Sequence, residues 1–327
     1  MPDSSTRPIE KTVESREVPA RRDFARFYGR VGNELDESAF RSVDLETGLR
    51  ADDDETFWFD DTCREPLQAA GLTHFDAVMQ SKQGQCTRAL KVRENWRLPI
   101  KVGGRRRTFF LKKHHVRTWG SWLRALLGLP PRVSPGREEA RNIRKLEAAG
   151  IPCMELAAFG ERTGQDGLQE SFLITPELEG FIQLDDFLRA RFGILDTQRA
   201  SSRDRDLRQL LDRVAAIARQ FHEAGFNHRD LYCCHFFIRE QRPGDFDIRL
   251  IDLQRVQYRK RRRRRWLVKD LAQLAYSAPR DRIKCTQKMA FIRKYFGVGK
   301  LRPEDKQLIR EVLARQNAME RKLGLIA

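Results

Sequence analysis

The sequence predicts an α+β fold in two lobes, a small β-rich lobe followed by a helical one. Three observations predict it. Short aromatic and β-branched runs, one pair joined by Gly103-Gly104, crowd the stretch before residue 178. Longer segments with apolar residues at helical spacing fill the stretch after it. Inside that second half, FNHRDLYCCHFFIREQRPGDFDIRLIDLQ at 226–254 reads as two short strands and a turn, with an aspartate near each end. The expected organisation is therefore a partly disordered extension at 1–74, a β-rich lobe at 75–178 and a helical lobe at 179–327.

Composition bounds the rest. At 327 residues, 40% of them hydrophobic, the chain can bury a substantial core. Lys and Arg outnumber Asp and Glu, 63 to 46, and the resulting charge of +17 favours anionic partners, either a membrane surface or nucleic acid. The first residues carry no apolar signal-peptide core, and no run of about 18 apolar residues offers a membrane span. Cys63, Cys86, Cys153, Cys233, Cys234 and Cys285 are scattered without C-x-x-C pairs, which predicts reduced thiols in a cytoplasm and neither a zinc site nor a disulfide framework.

In chain order, residues 1 to about 22 are polar and expected to be disordered. The acidic cluster Asp52-Asp53-Asp54-Glu55 flanks Phe57-Trp58-Phe59, read as a short packed extension. Strands are expected at Phe75–Met79, Ile100–Val102 and Thr108–Lys113, with Ser81–Arg88 between the first two. Trp119–Leu129 is apolar and aromatic and receives no role. A helix starts near Arg137, with Ala140, Ile143 and Leu146 on one face, and ends before Gly150. Strands near Met154–Phe159 and Ser171–Thr175 follow. The second runs into Pro176-Glu177-Leu178-Glu179-Gly180, the expected hinge between lobes, and another helix starts at Leu184. A helix from about Arg205 to Ala224 has Leu207, Leu210, Leu211, Val214, Ile217, Ala218 and Phe221 on one face and stops at Gly225. Its His222 is read as packing. Beyond the hairpin come the basic run Arg259–Arg265, a helix opening at Lys269-Asp270-Leu271, and a final helix from Pro303 to Leu323.

The chemistry lies in the 226–254 stretch. His228, Arg229, Asp230 and Leu231 begin the H-R-D-L-x-x-x-N catalytic loop of protein kinases, and Asp252 ends a strand downstream. Phosphoryl transfer needs one carboxylate to orient the acceptor hydroxyl and take its proton, and a second to hold Mg²⁺ on the nucleotide phosphates. Asp230 suits the first role and Asp252 the second. His235 occupies the place of the loop asparagine, and Asp252-Leu253-Gln254 replaces Asp-Phe-Gly. Imidazole is a poor Mg²⁺ ligand, so His235 is open between metal, phosphate and a supporting role. Lys112, sharing a strand face with Phe110, is the expected phosphate-binding lysine, with a basic strand end on the surface as the alternative. Glu139, or its neighbour Glu138, is the expected partner of that lysine. No G-x-G-x-x-G is present; Gly84 and Arg88 stand in for a phosphate loop, or Gly84 is simply a turn. Glu177 and Leu178 are expected to offer backbone to an adenine edge. Asp270 either braces the catalytic loop from beneath or is an ordinary helix aspartate.

Taken together, HRDLYCCHFFI, LIDLQR, the basic run, WLVKDLAQLAYS and FFLKKH resemble the lipopolysaccharide kinase (Kdo/WaaP) family from about residue 75 onward. The resemblance implies a bilobal protein-kinase-like fold. It also implies transfer of the ATP γ-phosphate, with Mg²⁺, to a heptose or Kdo hydroxyl of the lipopolysaccharide core at the cytoplasmic face of the inner membrane. Carried onto this sequence, Asp230 becomes the catalytic base, Asp252 the metal ligand, Lys112 the nucleotide lysine and Glu139 its partner; by position alone, His228 joins the catalytic group, Gly84, Arg88, Glu177 and Leu178 the nucleotide-binding group, and His235 the metal group. The family tolerates histidine at the position of His235. Arg259 to Arg265 then suit an anionic glycolipid in an anionic leaflet, and nucleic acid becomes an unlikely partner. The competing readings are a kinase-like binding module at a membrane or nucleic acid, and a kinase acting on protein.

Overall fold

A computed structural model describes residues 55–117, 126–127, 133–164, 168–192, 200–322 and 324. The expected disorder of residues 1–22, the acids Asp52-Asp53-Asp54 and most of Trp119–Leu129 lie outside the described residues. The first lobe is one antiparallel sheet of β1 (Glu55–Phe59), β2 (Gln85–Leu90), β3 (Arg93–Val102), β4 (Arg105–Arg117), β5 (Ala158–Thr163) and β6 (Leu168–Pro176), in the order β1-β5-β6-β4-β3-β2. Helices α1 (Asp61–Ala69) and α2 (Phe75–Gln80) cover one face, and α3 (Pro135–Ala148) covers the other.

The aromatic patch supplies a strand of this sheet. Phe57 pairs with Gly160 and Trp58 with Phe159, while Phe59 packs into the core with Leu67 and Phe75. Three expectations change. Phe75–Met79 is a helix, because its buried residues Phe75, Val78 and Met79 follow i, i+3, i+4 spacing. The Lys113 amine, on the sheet face opposite Lys112, donates to the carbonyls of Met79 and Ser81 and so satisfies the C-terminus of α2. Ser81–Arg88 leads from α2 into β2 and does not link two strands; the turn between β2 and β3 is Lys91-Val92. The strand expected from Met154 begins only at Ala158. The Met154 amide instead donates to the Leu250 carbonyl, tying the first lobe to the hairpin of the second.

The helical lobe contains α4 (Leu184–Arg191), α5 (Ala200–Glu223), α6 (Arg264–Ser277), α7 (Cys285–Phe296) and α8 (Pro303–Lys322). Leu207, Leu210, Leu211, Val214, Ala218 and Phe221 of α5 are buried, as its periodicity requires. Beside it lie β7 (Ile182–Gln183), β8 (Phe226–Asn227), β9 (Phe236–Arg242), β10 (Asp245–Leu250) and β11 (Gln257–Tyr258); β9 and β10 form the expected hairpin around Pro243-Gly244. Helix α6 opens at Arg264, five residues before the expected Lys269. Here the basic run is part of the fold. Arg263 is buried and donates to the carbonyls of His222 and Phe226, and Arg264 pairs with Glu311 of α8 at 2.8 Å. All six cysteines are free, and no described helix is long and apolar enough to cross a membrane.

Gly84 has φ +82°, and a Cβ there would lie 2.2 Å from the Arg97 carbonyl of β3. Gly84→Ala is expected to cost about 1–3 kcal/mol, the scale of a strained backbone residue, read as a lower urea midpoint with unchanged m. An unchanged midpoint would remove this structural account of the glycine.

The buried His114 and His222 set an acid limit on stability. Burial pushes His114 down to about 3, with Arg93 and Lys112 adding to the effect, and burial also lowers His222 despite its contact with Asp270. The unfolded chain binds these protons below about pH 6.5 and the folded chain refuses them, so their contribution is complete above that pH and declines as pH falls. Each histidine should remove about 1.4 kcal/mol per pH unit below 6.5 until its folded pKa is reached. Urea titrations at pH 7 and pH 5 test this, and His114→Leu should flatten the decline by one proton's share.

Candidate active site

The hairpin brings the two aspartates to one place. Leu250 pairs with Phe236, and the Ile251 amide donates to the His235 carbonyl at 3.0 Å, so the chain leaving β10 runs beside the chain entering β9. Asp230 precedes this crossing and Asp252 follows it. Both flanks hold a non-glycine residue in left-handed backbone, Arg229 at φ 71° and Asp252 at φ 56°. Such residues are strained and persist only where surrounding bonds hold them.

Helix α6 supplies those bonds for the Asp230 loop. The buried Asp270 carboxylate accepts the amides of His228 at 2.7 Å and Arg229 at 2.8 Å. One turn on, Gln273 accepts the Leu231 amide at 3.3 Å, and Ser277 accepts that of Cys233 at 2.8 Å. Positions 270, 273 and 277 share one helix face, which binds the loop's main chain. Asp270 therefore braces the loop from beneath, the first of its two sequence readings.

The imidazole of His235 spans the aspartates. Its Nδ1 lies 2.6 Å from the Asp230 carbonyl, which only accepts, so Nδ1 carries the proton and donates; Nε2 faces the Asp252 carboxylate at 3.7 Å. Burial lowers the pKa of His235, but bonds to Cys234 and the Asp230 carbonyl and the charge of Asp252 outweigh it, and the net shift is upward. The ring stacks on His228 at 5.5 Å and 17°. Burial keeps His228 low, and its Nε2–H donates to the Ile251 carbonyl at 3.1 Å, so His228 ties the Asp230 loop to the residue before Asp252.

In the β-rich lobe, Lys112 Nζ lies 2.6 Å from Glu139 Oε1. Glu139 is fully buried, and its other oxygen has no partner. Glu138, its neighbour on α3, is exposed. Asn142, one turn further along α3, donates to the carbonyls of Leu253 at 2.8 Å and Val256 at 3.1 Å, so the helix carrying Glu139 also holds the turn after Asp252. Arg88 pairs in register with Asn95, and Asn95 with Lys112, so all three share a sheet face, with Arg88 two strands or about 10 Å from Lys112. Gly84 packs against β3 at Arg97, and the Lys91-Val92 turn has no glycine. At the hinge, the Glu177 side chain pairs with Arg97 at 2.9 Å and its amide donates to Thr108, while the Leu178 carbonyl accepts from Phe181.

Sequence reasoning missed Asn142, Gln273, Ser277, Arg255 and Lys269. Arg255 Nη1 lies 2.7 Å from the Asp230 carboxylate and Lys269 Nζ lies 3.8 Å from it. A Gln and a Ser at helical spacing from Asp270, on a helix otherwise rich in Leu and Ala, were the available signal. Among the described residues no three His, Cys, Asp or Glu side chains cluster as a metal cage. Asp252 supplies the one carboxylate that Mg²⁺ held chiefly by phosphate and water oxygens would need, with the His235 imidazole 3.7 Å away in a supporting place.

Residues 78–295 match the lipopolysaccharide kinase (Kdo/WaaP) family. The lipopolysaccharide core heptose(I) kinase WaaP of Pseudomonas aeruginosa is 34% identical over 229 residues, 69% of this chain and 81% of that protein. The enzyme of the same name from Escherichia coli is 33% identical over 229 residues, 69% of this chain and 82% of its own. A solved structure of WaaP in complex with acyl carrier protein superposes with a TM-score of 0.61 at 30% identity, covering 82% of this chain and 98% of that one. With a bilobal kinase-like fold, two aspartates bridged by one imidazole and a lysine–glutamate pair whose glutamate lies on the helix that holds the turn after Asp252, the chain belongs to the lipopolysaccharide kinase (Kdo/WaaP) family.

Proposed function

We propose that this protein transfers the γ-phosphoryl group of ATP to a sugar hydroxyl, heptose or Kdo, of the lipopolysaccharide core. The observation that carries the reading is the Lys112–Glu139 pair at 2.6 Å, its glutamate on the helix that also holds the turn after Asp252, in a chain of this family. Lys112 binds the nucleotide phosphates, and Glu139 holds its amine in line. Arg88 adds a cation on the same sheet face, and the backbone of Glu177 and Leu178 meets the adenine edge. Gly84 shapes the approach to β2. Asp230 accepts the proton of the attacking sugar hydroxyl, its loop steadied by His228. Asp252, with His235 beside it, would hold Mg²⁺, and the ion would supply positive charge to the nucleotide phosphates and the leaving group.

The protein works on the cytoplasmic side, peripheral at the inner membrane. Of the basic run, Lys260, Arg261, Arg262 and Arg265 are exposed and face an anionic leaflet, each worth about 1 kcal/mol near such a surface. Label from [γ-³²P]ATP should appear in the glycolipid fraction. Asp230→Ala should lower it about 10²- to 10⁴-fold, the usual share of a general base, with ATP binding retained. Absence of glycolipid label beside normal ATP binding would redirect the search to another acceptor.

An acyl carrier protein is a second partner. The solved WaaP structure contains one, and the helical lobe of this chain holds a partly open apolar cavity of about 260 Å³, lined by Leu184, Leu188, Leu211, Leu274, Phe291 and Val312 among others. A cavity of this lining suits an acyl chain, each buried methylene contributing about 0.8 kcal/mol. Val312→Trp should fill it and abolish capture of acylated carrier protein in a pull-down while leaving the uncharged form unaffected. Undiminished capture would refute the cavity's role.

A further inference from the structure

We infer that Arg255 is a mobile catalytic cation, released from Asp230 when substrates bind and transferred to the phosphoryl group in flight. The inference rests on the kinase reading above and adds to it a residue that enters the site from the turn after Asp252. In the structure its guanidinium lies on the catalytic base, with Nη1 2.7 Å from Asp230 Oδ2.

Three observations support the inference. First, the pair is lopsided: the Arg255 side chain is 54% exposed and the Asp230 carboxylate only 19%, so a solvent-facing cation lies over a recessed base. A pair this exposed adds little to stability. Second, Asp230 already has a fixed cation. Lys269 Nζ lies 3.8 Å from its other oxygen and is anchored by donation to the Arg229 carbonyl, whereas the Arg255 guanidinium makes its contact with Asp230 from open solvent. Third, Arg255 closes the short turn that begins at Asp252, and Asn142 of α3 pins that turn through the Leu253 and Val256 carbonyls. Its backbone is therefore fixed beside the metal-facing aspartate while its side chain has room to swing.

The same contact obstructs the base, because a sugar hydroxyl reaching Asp230 must displace the guanidinium. With ATP bound by the kinase reading above, the γ-phosphoryl group would be the anion offered to the displaced guanidinium. As the acceptor oxygen bonds to phosphorus, the bond to the β,γ-bridging oxygen breaks, its electron pair leaves with ADP, and the hydroxyl proton passes to Asp230. Arg255 then donates to the phosphoryl oxygens throughout, with a planar fork suited to them.

Equilibrium binding of ADP and of a non-hydrolysable ATP analogue to the full chain, with Mg²⁺, tests this for wild type, Arg255→Ala and Arg255→Lys. Arg255→Ala should weaken the ATP analogue about 10- to 100-fold, the worth of a charge-assisted hydrogen bond, and leave ADP within about twofold. Arg255→Lys should fall between, and added guanidinium should restore part of the phosphoryl-transfer rate of the alanine variant. An ATP-to-ADP affinity ratio unchanged by Arg255→Ala would overturn the inference, as would a wild type that binds no nucleotide. If nucleotide binds but no glycolipid is labelled, the acceptor assignment fails while the affinity ratio still decides the role of Arg255.

Discussion

The site depends on one buried carboxylate. Asp270 receives the amides of His228 and Arg229, and those two bonds hold the left-handed turn at Arg229 that presents Asp230 to the cleft. A fully buried aspartate is costly unless its oxygens are paired, and here loop amides and His222 surround it. His222 in turn meets the Tyr295 hydroxyl at 2.9 Å, so the base of the loop is wired through α5 and α6 to α7. The helical lobe thus acts as a jig for one stretch of main chain, and its apolar packing keeps the jig rigid.

Much of this arrangement was legible because it is local. The hairpin, its turn at Pro243-Gly244 and the aspartates near its ends follow from strand runs and turn residues in a single stretch. Lys112 and Glu139 were legible through alternation on a strand and a helix start. What escaped the sequence depends on distant partners. Phe75–Met79 is too short in sequence for its period to separate strand from helix, and the helix end is tied down by Lys113 of β4, a partner the local sequence does not show. Asn142 and Arg255 act on groups far along the chain, where no local pattern points.

The basic run illustrates how composition misleads when it is read as surface. Arg263 is a buried donor to two carbonyls, Arg264 reaches across to Glu311, and Arg259 and Arg265 lie over Trp266 at 5.0 and 4.7 Å. Arg229 of the catalytic loop also lies over this indole, at 5.2 Å. One segment therefore packs against the base of the site and also leaves cations at the surface. A substitution that removes its charge wholesale would alter the fold along with any attraction to a membrane.

Asn142 links the two halves of the cleft in a way that bears on inhibition. Because one side chain on the Glu139 helix holds the turn after Asp252 at two carbonyls, that turn is not a separate flap. A compound that must swing the turn outward to open a back pocket would have to break both bonds and shift α3 with it. Ligands that leave this turn in place can instead meet the hinge, where the Arg97–Glu177 pair forms part of the rim.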